Sequence, residues 1–168
     1  MTLSTIGNDG FPKSRIVLLK SYDASGFVFY TNYESEKGIS LQNHPQACIS
    51  FFWPNTERQV IIKGLAERVS ASTSDAYFTS RPKGSQLGAL VSSQSSVIET
   101  RKVLEDELQS LELTYSEKTV PRPENWGGFL IRPISFEFWQ GRPNRLHDRF
   151  LFSKEEANQD WTIERLAP

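Results

Sequence analysis

The chain has 168 residues, 19 basic and 20 acidic, with a formal net charge of −1. That length supports one compact domain with a real core, and a near-neutral chain carries no broad field to gather nucleic acid or an anionic membrane. The longest apolar runs, Ile16 to Leu19 and Ile49 to Trp53, are far too short to cross a bilayer, and a single cysteine, Cys48, excludes an internal disulfide. The N-terminus lacks the basic and apolar regions of a signal peptide. These features predict a soluble protein of a reducing compartment, cytoplasmic or within an organelle.

In chain order, Ser14 to Lys20 reads as a strand. Asp23-Ala-Ser-Gly26 is a turn and Phe27 to Thr31 a second strand, which together predict a hairpin. Ser35 to Asn43 reads as a short helix, stopped before Pro45. Gln46 to Trp53 and Gln59 to Lys63 read as strands, with a bend at Gly64 before Leu65 to Ser70. Ser72 or Thr73 is placed to cap a helix running to about Ser80, which Pro82 cannot continue. Val97 to Leu113 shows a helical period through Val103, Leu104, Leu108 and Leu111. Residues 115–125 read as loop, and Gly128 to Arg132, Ser135 to Trp139 and Phe150 to Phe152 as strands. Short strands with few helices argue against a doubly wound sheet and for a small antiparallel barrel with peripheral helices. Phe27, Phe29, Phe51, Phe52 and Trp53 read as core.

No Gly-x-Gly-x-x-Gly follows a strand, and no phosphate-binding Gly-x-x-x-x-Gly-Lys-Ser/Thr is present. With two histidines, His44 and His147, far apart and one cysteine, a metal site is not expected. His44, before Pro45 at a helix end, reads as structural, since an imidazolium there suits the helix dipole. Adjacent His147 and Asp148 on a strand would face opposite ways, which disfavours a nucleophilic triad. Four segments combine cations with aromatic or hydroxyl groups: Arg15 to Lys20, Tyr30-Thr31 with Lys37, Tyr77 to Ser85, and Trp139 to Arg149. Such sets suit phosphate, which offers oxygens to several donors at once. Any one of them alone is more often a solvated strand end.

Their order is more specific. Arg15-Ile-Val-Leu-Leu-Lys20, Phe29-Tyr-Thr-Asn32, Arg58-Gln-Val60, Tyr77-Phe-x-Ser-Arg-Pro82 with Ser85-Gln-x-Gly88, and Gln94-Ser95 come first. Trp126-Gly-Gly128, Glu137-Phe-Trp-Gln-Gly141, Arg145-Leu-His-Asp-Arg149 and Arg165-Leu-Ala-Pro168 follow. Over nearly its whole length the chain resembles the pyridoxine (pyridoxamine) 5′-phosphate oxidase family. The resemblance implies a mainly β fold with peripheral α, a split β-barrel, as a single FMN-binding domain over 1–168. It implies a homodimer with FMN between subunits.

The same resemblance assigns residues. FMN-binding positions match Arg15, Ile16, Val17, Leu18, Leu19 and Lys20, then Tyr30, Thr31, Lys37 and Gln59, then Gln94, Ser95, Trp139 and Arg149. Substrate-phosphate positions match Lys20, Tyr77, Arg81 and Ser85. Arg145, Leu146 and His147 match the segment over the substrate ring, with Arg145 and His147 as the catalytic pair. His147 fits either a ring-contacting donor or a proton carrier; without the motif it reads as a packed residue with one satisfied nitrogen. The implied reaction oxidises pyridoxine or pyridoxamine 5′-phosphate with O2 to pyridoxal 5′-phosphate and H2O2. No metal, nucleic acid or membrane partner is implied.

Two departures stand out. The N-terminal segment that covers the substrate in relatives is expected to be absent, and Glu36 stands where the family usually has Arg or Lys beside the FMN phosphate. They favour one other reading, a weakly active FMN- or pyridoxal-phosphate-binding barrel; a separate rival, a flavin oxidase of the same fold acting on another substrate, such as a phenazine-pathway intermediate, is opposed by Arg145-Leu-His147 and by Tyr77, Arg81 and Ser85. A flavin spectrum with peroxide release separates the first from an enzyme; turnover of pyridoxine 5′-phosphate separates the second.

Overall fold

A computed structural model describes residues 1–154 and 160–168. The chain divides into two compact units. The first comprises Met1–Phe29, Ser40–Glu67 and Leu130–Pro168; the second comprises Tyr30–Ile39 and Arg68–Phe129.

The first unit is a sheet. Its strands are β1 (Thr2–Ile6), β2 (Pro12–Ile16), β3 (Ser21–Asp23), β4 (Gly26–Asn32), β5 (Gln46–Trp53), β6 (Arg58–Arg68), β7 (Trp126–Gln140), β8 (Asp148–Ser153) and β9 (Thr162–Leu166), of which β4 from Tyr30 on, Arg68 of β6 and β7 up to Phe129 are counted with the second unit. They follow the order β2-β1-β5-β6-β7-β4-β3, with β8 paired to β7 and β9 to β8. The β1–β2, β1–β5, β3–β4, β5–β6, β7–β8 and β8–β9 pairs are antiparallel. Inward positions alternate as a pleated strand requires: Leu3 and Thr5 on β1, Ala47 and Ile49 on β5. Leu3, Phe29, Ile49, Ile62 and Ile131 form the buried layer. Burying each contributes about 1.5–3 kcal/mol.

Two glycines shape this sheet. Gly26 closes the β3–β4 turn at φ 144°, and a Cβ there would run into the Ile131 carbonyl. Asp23 Oδ1 holds the same turn by accepting from the Ser25 N–H at 2.7 Å. At Gly64 a Cβ would run into the Arg132 carbonyl. The predicted bend there is therefore corrected: β6 continues unbroken, and the glycine permits a close backbone approach.

The second unit is mainly helical. It contains α2 (Ala71–Ser80), α3 (Lys83–Val91) and α4 (Arg101–Thr114), and it shares α1 (Glu36–Asn43) with the first unit. Ser70, not Ser72 or Thr73, caps α2, its Oγ accepting from the Thr73 N–H at 3.1 Å. Pro82 separates α2 from α3. Phe78, Leu87, Val120 and Trp126 form the core, covered by Leu108 and Leu111 of α4.

Several predicted bounds shift. The strand read over Ser14 to Lys20 is β2, which begins at Pro12 and ends at Ile16. The hairpin partner of β4 is the separate strand β3. The two strands read between Gly128 and Trp139 are one, β7. Phe29 is core, but Phe52 and Trp53 are exposed because the end of β5 extends beyond the buried layer.

Candidate active site

In the second unit, Lys37 lies in the first turn of α1 and is 9% exposed. Its Nζ donates to Thr31 Oγ1 at 3.4 Å and to Ser35 Oγ at 3.3 Å. Thr31 Oγ1 in turn donates to Gln94 Oε1 at 3.0 Å, and the Asn32 N–H reaches the same oxygen at 3.4 Å. Three predicted residues separated by up to 63 positions thus form one hydrogen-bonded chain. Ser95 follows with φ 75°, a left-handed backbone that fixes the turn. Glu36 is exposed although its neighbour is buried, as successive positions on a helix require. An ammonium withdrawn from water among hydroxyls suits a phosphate dianion, which would recover its lost solvation.

A second cation lies in the same unit. The Arg81 guanidinium sits over the Trp126 ring at 4.6 Å and the Phe78 ring at 5.6 Å. Its Nη1 is buried with no hydrogen-bond partner among the described residues. Burial lowers its pKa from the usual arginine value, though an arginine stays protonated at neutral pH. Tyr77 stacks on Tyr30 at 3.9 Å with planes 19° apart, and Tyr30 stacks on Trp126 at 5.4 Å. Burial raises the Tyr30 hydroxyl pKa. Ser85 is exposed in the first turn of α3. A buried N–H without a partner is costly, so this guanidinium is prepared for an anion.

In the first unit, a cleft of about 390 Å³ is lined by Trp53, Gln59, Phe138, Trp139 and Asp148, among others. Its aromatic walls and the amides of Gln59 and Gln140 suit a planar heterocycle. Arg149 is held by Glu137 at 2.8 Å and donates to the Ala167 carbonyl at 2.9 Å. Arg15 donates from Nη1 to Thr5 Oγ1 at 2.8 Å. Between β2 and β3, Val17 pairs with Met1 through backbone hydrogen bonds in both directions. Val17 and Leu19 are half-buried, whereas Ile16, Leu18 and Lys20 are exposed. The Lys20 N–H donates to the Val28 carbonyl at 2.9 Å.

The β7–β8 hairpin carries Arg145, Leu146 and His147 in its loop. Arg145 and Leu146 are exposed, and His147 is half-buried with its ring 4.8 Å from Trp139. His147 Nδ1 accepts from the Arg142 N–H at 3.1 Å. Asp148 accepts from Arg142 Nε and from Arg165 Nη1, both at 2.8 Å. These two arginines, Arg142 first, hold its carboxyl below the usual aspartate range.

Four participants escaped the sequence reading: Ser35 beside Lys37, Trp126 beneath Arg81, Glu137 on Arg149, and Arg142 on Asp148. Trp126 and Glu137 stood within noted motifs, but no sequence signal ties either one to its arginine.

The strand arrangement, the buried cations and the aromatic cleft define an FMN-binding split barrel of mainly antiparallel β structure. Residues 1–115 match the pyridoxamine 5′-phosphate oxidase family, and residues 126–168 match the pyridoxine 5′-phosphate oxidase C-terminal dimerisation region. The chain is 59% identical over 167 residues to the pyridoxine/pyridoxamine 5′-phosphate oxidase of Flavobacterium johnsoniae, covering 99% of this chain and 78% of that one. It is 53% identical to the chloroplastic enzyme of that name from Arabidopsis thaliana, covering 100% of this chain and 32% of that one. Among solved structures, PhzG from Burkholderia lata, in complex with tetrahydrophenazine-1-carboxylic acid, superposes with a TM-score of 0.91 at 28% identity, covering 99% and 81% of the two chains. A pyridoxamine 5′-phosphate oxidase-related, FMN-binding protein from Nostoc punctiforme shares the fold, with a TM-score of 0.76 at 18% identity, covering 99% and 86%. The chain belongs to the pyridoxine/pyridoxamine 5′-phosphate oxidase family, and FMN is its cofactor.

Proposed function

We propose that this enzyme oxidises pyridoxine 5′-phosphate or pyridoxamine 5′-phosphate to pyridoxal 5′-phosphate, reducing O2 to H2O2. The alcohol loses two electrons and two protons to O2; the amine also consumes water and releases ammonia. FMN, when bound, would supply the two-electron redox chemistry. The chain then has to bind, orient and exclude water, and no protein nucleophile is needed.

The buried, unpartnered Nη1 of Arg81 carries this reading. A substrate bearing a phosphate supplies the acceptor this N–H lacks. Lys20, Tyr77 and Ser85 complete the proposed substrate-phosphate set. Lys37 with Thr31, Gln94 and Ser95 is the proposed holder of the FMN phosphate, together with residues 15–20 and Arg149. Gln59, Tyr30 and Trp139 are the proposed ring contacts. Arg145, Leu146 and His147 would cover the substrate ring. The two cation sites fit the two phosphates of cofactor and substrate, each near −2 at neutral pH.

A homodimer belongs to the same proposal. The match of residues 126–168 to a dimerisation region supports it. So do the exposed Ile16, Leu18, Phe52, Phe138 and Ile163 of the first unit, an apolar set that water does not favour. Among the described residues no helix is long and apolar enough to cross a membrane.

The likeness to PhzG favours a second reading, turnover of a phenazine carboxylate that carries no phosphate. One assay separates the two. The FMN-loaded protein is given pyridoxine 5′-phosphate, pyridoxine, or tetrahydrophenazine-1-carboxylic acid, and aldehyde and peroxide are measured. Turnover of the phosphorylated substrate, with kcat/KM at least about tenfold above pyridoxine, is expected from one charged contact. Equal rates with and without the phosphate, or turnover of the phenazine alone, overturn the proposal.

A further inference from the structure

The loop between β7 and β8 poses a physical problem. Asn144 and Arg145 are consecutive residues at φ 58° and 62°. Arginine rarely occupies the left-handed region, so surrounding contacts must hold it there. Yet Arg142 to Leu146 are all exposed, and no buried side chain within that stretch anchors them.

The anchor lies at the base of the loop. Gln140 pairs with Asp148 at the last rung between β7 and β8. Asp148 Oδ2 accepts from Arg142 Nε, on the outgoing side of the loop. Asp148 Oδ1 accepts from Arg165 Nη1, on β9. Arg165 is itself fixed, since it lies opposite Phe150 in the β8–β9 register and its guanidinium sits 4.4 Å from that ring. With Arg142 so held, its backbone N–H meets His147 Nδ1. A ring nitrogen that accepts from an amide N–H carries no proton, so this geometry leaves Nε2 as the ring's donor. Asp148 also lines two clefts of the first unit: the aromatic one, and another of about 350 Å³ formed with His147, Arg165 and the C-terminal residues.

We propose that Asp148 is a positioning residue: through Arg142 and Arg165 it locks the strained loop and sets His147 as an Nε2–H donor. Arg165, near the chain end, is thereby part of the active centre without touching substrate. The consequence for catalysis rests on the reading that Arg145 and His147 meet the substrate; the tautomer does not.

The test uses FMN-loaded protein and two readouts. Nitrogen-15 NMR of the histidine side chains, with His147 assigned against a His44→Gln variant, reports the tautomer. Steady-state kinetics with pyridoxine 5′-phosphate reports kcat and KM. In the wild type, Nδ1 is expected to be unprotonated and Nε2 protonated. Asp148→Asn should give a mixture of tautomers and lower kcat by about 10- to 100-fold, as small misplacements do, with FMN affinity unchanged. Asp148→Glu should restore most of both. If Asp148→Asn does not fold, Arg165→Met cuts one of the two pairs and decides the same comparison. A wild-type tautomer together with unchanged kcat in these variants overturns the proposal. A shifted tautomer with unchanged kcat upholds the positioning of His147 and refutes instead its place at the substrate.

Discussion

The two regions that hold the candidate site residues treat charge in opposite ways. In the helical unit, Lys37 is nearly buried among hydroxyls and Arg81 is pressed onto Trp126 with one N–H unpaired. In the sheet unit, the loop bearing Arg145 and His147 is largely exposed and is held from its base by ion pairs. Desolvated cations suit strong recognition of phosphates. A surface loop pinned by a half-buried carboxylate suits a group that must meet and release a substrate. The phosphate sites should therefore answer to packing, and the loop to pH and salt.

The largest effect expected from this contrast is on stability. Phe78 is 1% exposed in the core beneath Arg81. Phe78→Ala should cost about 3–5 kcal/mol. Leu146→Ala, in the exposed loop, should stay within about 0.5 kcal/mol. Urea unfolding of both variants checks this; a comparable cost at the two sites would break the contrast.

The next effect is on the cofactor. Lys37→Met removes a charged contact and should weaken FMN binding by about 10- to 150-fold, on the order of 1.5–3 kcal/mol. Removing an ammonium from a buried position should leave the FMN-free protein at least as stable as before. FMN titration and thermal melting of the apo-protein measure the two halves. An apo-protein that melts lower would mean that Lys37 serves the fold rather than the phosphate.

A smaller effect concerns acid. Asp148 has a lowered pKa in the folded chain, chiefly through Arg142 and Arg165. A depressed folded pKa gives stability that is present above the ordinary aspartate value of 3.8 and lost as pH falls through the lowered one. The loop and β9 should loosen in that acid window while the helical core stays intact. Hydrogen exchange followed from pH 6 down to about pH 3 reads this; simultaneous loss of both regions would contradict it.

Glu36 should matter least. It is exposed at the first position of α1, where a carboxylate favours the helix dipole. Glu36→Arg exchanges that for attraction to a phosphate near Lys37, worth about 1 kcal/mol or less at an exposed site. FMN binding should tighten by no more than about tenfold at low salt, and the gain should shrink as salt rises. A weaker affinity at low salt would place Glu36 away from the phosphate.

Much of the sheet was legible in the sequence. β5 has its predicted bounds because Pro45 and Pro54 bracket a segment that carries Ile49, Phe51, Phe52 and Trp53. The helix α3 was missed because Gly84 and Gly88 lower its helix propensity, although in the fold a Cβ at either position meets open space. β1 and β9 are short; in β1 Leu3 and Thr5 alternate with Thr2, Ser4 and Ile6 too weakly to read, and β9 is exposed along all but Leu166. Most of the candidate site was legible only as an order of motifs. The sequence brings neither Gln94 to Thr31 nor Arg81 to Trp126, because those meetings depend on how strands and helices return to one another. Asp148 shows why the rest was hidden: its partners, Arg142 and Arg165, come together only through the β7–β8–β9 register.

The central claim is that Arg81 and Lys37 serve different phosphates. The most direct measurement crosses two variants with two ligands: FMN dissociation constant and Michaelis constant for pyridoxine 5′-phosphate, in Arg81→Ala and Lys37→Met. Arg81→Ala should raise the Michaelis constant about 10- to 150-fold and leave FMN affinity within about twofold, a few tenths of a kcal/mol. Lys37→Met should do the reverse once FMN is saturating. If Arg81→Ala weakens FMN and spares the Michaelis constant, or if both variants weaken the same ligand, the assignment of the two cations is wrong.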